Sequence, residues 1–99
     1  MLHEKKATEP TIMTMKLSTG EEIIALVVEF TPSEVKVKNP LAMVLAENPE
    51  NPTQVRVMFT TWMAAADNDA TVSIRGSHIV AGALPKEAAA EQYRAATAN

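Results

Sequence analysis

The chain has 99 residues, 46% of them hydrophobic and none a cysteine. That is material for one domain with one modest core, and it excludes disulfides and thiolate metal sites. A formal net charge of −3 weighs against a domain that binds nucleic acid with its whole surface, since such domains are commonly basic, although an assembly of copies can gather a few cations on one face. No run approaches the roughly 18 apolar residues of a membrane span. The polar residues after Met1-Leu2 do not read as a signal peptide, so cytoplasmic residence is the expectation.

Residues 1–10 read as a polar, flexible arm ending at Pro10. Met13, Met15 and Leu17 alternate with Thr14, Lys16 and Ser18, the period of a half-buried strand. Ser18-Thr19-Gly20-Glu21 supplies the turn, with Gly20 free to take a positive φ. Residues 22–30 form a longer strand. Ile24, Leu26, Val28 and Phe30 line one face, Ile23, Ala25 and Val27 the other, and two apolar faces predict burial on both sides. The small side chain of Ala25 lets this strand bend. Thr31-Pro32-Ser33 ends it, because proline cannot continue a central strand.

Val35 and Val37 alternate with Lys36 and Lys38, Asn39-Pro40 kinks the chain, and Leu41–Leu45 continues that strand or starts another. Asn48-Pro49-Glu50-Asn51-Pro52 reads as a polar loop. Val55, Val57 and Phe59 mark a strand reaching about Trp62. Asp67-Asn68-Asp69-Ala70 is a turn, and short strands at 71–75 and 78–84 flank Gly76. Pro85 opens an alanine-rich helix from Lys86 to about Ala96, with Glu87 and Glu91 suited to its start and Arg94 to its end. At barely three turns that helix must dock, and Leu84, Ala89 and Tyr93 are the expected contacts. Phe30 and Phe59 are expected in the core, and Trp62 at a ring interface or, as the alternative, as a stacking platform. The organisation expected is an arm (1–10), a barrel (11–84), and a helix and tail (85–99).

Two stretches carry a likeness. Ile12 to Leu45 runs as alternating strand, Gly turn, long strand, short loop and third strand. Ile74-Arg75-Gly76-Ser77-His78-Ile79 reads apolar-Arg-Gly-two residues-apolar, and Leu84-Pro85 follows the last strand. Together these resemble the Sm-like family, small bent barrels that assemble into RNA-binding rings. Asn39-Pro40 and Trp62-Met63 are similar to the short phage-type members. The resemblance implies an all-β, five-stranded, SH3-like open barrel, here with a C-terminal helix. It implies self-association through edge strands near 54–63 and 78–84 into a ring of about five to seven copies. It further implies a single-stranded RNA or DNA ligand and, for a phage-encoded chain, the host cytoplasm. Two positions depart from the family pattern: Ala25 stands where a second glycine is usual, and Glu34 roughly where an Asn reads the edge of a uracil.

By the same resemblance Arg75 lines the ring's opening, where a planar guanidinium both stacks on a base and forms bidentate bonds. The competing role is a pair with an acid of the adjacent copy, such as Glu34. Gly76 is the hinge beside it. Lys36 and Lys38, two apart, share a strand face and suit a phosphate-binding patch, or simply a solvated face. Lys5 and Lys6 on the arm suit the same two roles. His78 can approach a ligand beside Arg75 or serve as a hydrogen-bonded turn residue. Ser77 and His78, adjacent on the chain, face opposite ways and make no nucleophile–base pair. Nothing resembles a phosphate loop, dinucleotide fingerprint, metal cluster or acid–base dyad. The expectation is a binding protein with no catalytic residue, cofactor or metal. A second reading is a structural or adaptor ring whose partner is protein, favoured by the acidic charge and the few aromatics.

Overall fold

The computed structural model describes residues 9–67 and 69–98. Most of the expected N-terminal arm, including Lys5 and Lys6, lies outside the described residues. The chain folds in the order β1 (Thr11–Leu17), β2 (Glu22–Phe30), β3 (Glu34–Asn48), β4 (Asn51–Thr61), β5 (Thr71–Arg75), a 3₁₀ turn (Gly76–His78), β6 (Ile79–Ala83) and α1 (Glu87–Thr97). The sheet runs β4-β3-β2-β1-β6, with β5 also on β3, and every pairing is antiparallel.

Six strands fill five positions across. β2 holds one edge of β3, while β5 pairs with Glu34–Lys38 and β4 with Leu41–Asn48 on the other edge. These two lie end to end because β3 breaks its rhythm between them. Asn39 takes a φ of 51°, and Pro40 has no N–H to give to a ladder. Trp62 makes the last backbone bond there, its N–H donating to the Pro40 carbonyl at 3.3 Å. The chain then leaves the edge and returns at Thr71.

The alternating residues do what their period requires. Met15, Leu17, Ile23, Ala25, Val27, Val35, Val37 and Ile74 form one buried cluster, with Met13, Trp62, Val72 and Ile79 packed against it. The second apolar face of β2 is explained by α1. Ile24 is also fully buried, and it shares a cleft with Ala88, Ala89 and Gln92 of the helix. The helix docks through Ala90 and Tyr93, three apart and so on one stripe. The Tyr93 hydroxyl sits between the carbonyls of Lys38 (3.1 Å) and Asn39 (2.9 Å) at the bulge. Burial pushes this phenol from 10.0 up to about 12.

Several expectations need correction. Leu84 is not a docking residue: it lies before Pro85, off the helix, and is 71% exposed. Phe30 is not core but 52% exposed, because it ends β2 beyond the reach of the barrel's interior. The polar segment is no loop beyond Pro49-Glu50. There the Glu50 N–H donates to Asn48 Oδ1 at 3.0 Å, and β4 starts at Asn51, well before Val55. The resulting β3–β4 hairpin extends past the barrel and accounts for a longest dimension of 55 Å against 29 and 26 Å. Among the described residues no helix is long and apolar enough to cross a membrane.

Candidate nucleic-acid interface

The Arg75-Gly76 step is built by close backbone approach. The Gly76 N–H donates to the Ser33 carbonyl at 2.9 Å, tying the end of β5 to the turn between β2 and β3. A Cβ at Gly76 would stand 2.8 Å from the Pro32 carbonyl oxygen, so only glycine fits without displacing one of the two segments. This clamp presents Arg75, which is exposed, at the rim where β5 turns into β6.

The register collects three of the expected cations on one face. Arg75 lies opposite Glu34, Ser73 opposite Lys36, and Thr71 opposite Lys38. Opposed residues of an antiparallel pair share a face, so Lys36, Lys38 and Arg75 all point away from the valines of the core. Two acids join them. Lys36 Nζ lies 3.8 Å from Glu29 Oε1 and 3.9 Å from Glu34 Oε2; pairs this exposed contribute little stability, but they lower the positive potential around that lysine. Arg75 and Lys38 have no acid within ion-pair distance among the described residues.

His78 belongs to the other side of the 3₁₀ turn. Its Nδ1 lies 3.2 Å from Ser18 Oγ, and its carbonyl accepts from the Ser18 N–H at 2.7 Å. These bonds moor it to the β1–β2 turn. No group of His, Asp and Glu among the described residues could hold a metal ion.

The residue that period-2 reading misplaced is Phe30. With Pro32, Gly76 and Val80 it rims a cavity of about 390 Å³ between the end of β2 and β6. Phe30 pairs with Val35, so it lies on the opposite face of the sheet from Arg75 and Glu34; an exposed aromatic is a surface on which a base can stack. Its signal in the sequence was its position as the last residue before a Thr-Pro-Ser turn. Trp62 is half-buried against the core, and its Nε1–H donates to Glu21 Oε1 at 3.3 Å.

Compared with known families, residues 14–94 match the model of the Sm-like domain. The chain belongs to the Sm-like family. The match begins inside β1 and ends inside α1, so it takes in both the β1–β3 segment and the Arg-Gly hinge. No curated protein matches the chain. Within this Sm-like barrel, Ala25 is a fully buried core residue of β2. Glu34 fixes the loop before β3 by its backbone, its N–H donating to Thr31 Oγ1 at 3.2 Å.

Proposed function

We propose that this Sm-like protein closes into a homo-oligomeric ring of about five to seven copies that binds single-stranded nucleic acid. RNA is the first candidate and DNA the second, in a processing or chaperone-like role. The observation that carries this is a set of open edges: among the described residues β4, β5 and β6 are each paired on one side only. β6 has neither charge nor proline between Ile79 and Ala83, and among the described residues it is paired on one side only, to β1. β5 is likewise paired, among the described residues, on one side only, to β3, and ends in Arg75. Such edges recruit another strand, and joining β6 of one copy to β5 of the next repeats head to tail. Each junction then carries an Arg75.

In this reading Arg75 stacks on a base or grips phosphate, and Phe30, on the other side of the Gly76 clamp, is a second stacking platform. Gly76 fixes the approach, Lys38 and His78 add polar contacts, and Lys36 contributes least because Glu29 and Glu34 already share its charge. Fluorescence anisotropy with short oligo-U, oligo-A and single-stranded DNA tests it. Binding is expected to weaken as salt rises, and Arg75→Ala to bind about tenfold or more weakly. Equal binding by Arg75→Ala, or no salt-sensitive binding, refutes it. The acids around Lys36 favour the second reading, an adaptor ring for protein partners. A ring mass with no affinity for any of the three oligonucleotides would select that one.

A further inference from the structure

Between the end of β4 and the start of β5, among the described residues, the Trp62 bond to the Pro40 carbonyl is the last on this edge of β3, and no strand pairs with Asn39 or Pro40 there. The gap opens into a cavity of about 270 Å³ whose walls include Pro40, Met63, Ala66, Ala70 and Asp67. On the opposite edge of the molecule Leu84, just past β6, is 71% exposed, with Lys86 two residues on. We infer that the cavity is the seat for Leu84 of the next copy, and that Asp67 beside it meets that copy's Lys86. The inference rests on the ring reading and specifies its interface.

Strand direction and register lead there. In β6, Ala81 and Ala83 lie opposite Lys16 and Thr14 of β1 and so face outward. In β5, Ser73 and Thr71 lie opposite Lys36 and Lys38 and also face outward. Antiparallel pairing of β6 with a neighbour's β5 in full overlap sets Ala81 against Ser73 and Ala83 against Thr71, outward on outward. A one-residue slip would turn every side chain to the wrong face. One step beyond Ala83, Leu84 falls opposite Ala70, on the rim of the cavity. Pro85 stiffens the segment, which limits the entropy lost on seating it.

Charge agrees with shape. Lys86 and Asp67 are both exposed, and neither is in an ion pair among the described residues. The cavity is also lined by Ala96 and Thr97 at the end of α1, where the last carbonyls carry partial negative charge. An apolar residue followed two positions later by a cation is the complement of this site.

The chain has no cysteine, so mixed single-cysteine variants report contacts between copies alone. Ala81→Cys mixed with Ser73→Cys tests the edge pairing. Leu84→Cys mixed with Ala70→Cys tests the seat, since a disulfide needs Cα atoms within about 7 Å. Both mixtures are expected to give linked dimers on non-reducing gels. If the first link forms and the second does not, the seat is wrong and the ring stands. If neither forms and the native protein has a monomer's mass by light scattering, both fall. Leu84→Asp, at a site exposed in the protomer, is expected to raise the concentration at which the assembly dissociates by about tenfold or more. An unchanged dissociation profile overturns the seat.

Discussion

Gly76 and Tyr93 show how much single residues decide in this chain. Gly76→Ala must push the Pro32 carbonyl, 2.8 Å from the added carbon, out of the clamp that also holds the Ser33 bond. The expected loss is about 1–3 kcal/mol, read as a lower urea midpoint; an unchanged midpoint would mean the turn yields freely. Tyr93 carries a pH dependence. A tyrosine ionises near 10.0 when unfolded and holds its proton to about 12 in the fold, so the unfolded chain loses its proton first. The stability tied to this proton is therefore complete below pH 10.0 and is lost as pH rises towards about 12. Tyr93→Phe should abolish that alkaline step while lowering stability at neutral pH by about 1–2 kcal/mol, through loss of the bonds to Lys38 and Asn39. Unfolding curves at paired pH values check both statements.

At the scale of elements, the edges and the strand end matter most. β6 offers apolar, uncharged residues to whatever lies beside it, Val80 being exposed. Placing a lysine there copies the device by which sheets keep edges from pairing. Val80→Lys should leave the protomer folded by circular dichroism and reduce the mass seen by light scattering. A variant that keeps the native mass would show that β6 is not the contact. Phe30 belongs to the same rim without contributing to the core, so Phe30→Ala should weaken oligonucleotide binding by about tenfold, the loss of one stacked base, with little change in thermal stability. Full retention of binding would remove the aromatic platform from the site.

For the whole molecule, the distribution of charge sets what it can discriminate. The outward face of β2, β3 and β5 mixes Lys36, Lys38 and Arg75 with Glu29 and Glu34, within a chain of net charge −3. Phosphate contacts on such a face are few, so the slope of log affinity against log salt should be shallow, a small multiple per copy of about 0.7 for each phosphate met. Glu34 offers only acceptors where an amide would offer a donor as well. Oligo-U and oligo-A are thus expected to bind with similar affinity. A strong preference for uridine would assign base reading to other groups.

Alternation alone placed β1, the body of β2 and the start of β3, and with them most of the buried cluster, because a half-buried strand must repeat its apolar residues every second position; the polar start of β4 at Asn51 carries no such alternation and read as loop. The Arg-Gly step was legible for a related reason: glycine is required where two backbones nearly touch, and it leaves that mark in any sequence. Other features depended on which residues became neighbours in space. Phe30 lost its strand period at the register shift between Val27 and Glu29, and as the last residue of β2 it ended largely in solvent. Leu84 looked like a helix contact and was released to the surface by the docking of Ala90 and Tyr93. Lys36 looked free until the pairing of β2 with β3 set Glu29 beside it. Local pattern carries which face a residue takes, while the partners across that face come from residues far apart in the chain, and only folding brings those together.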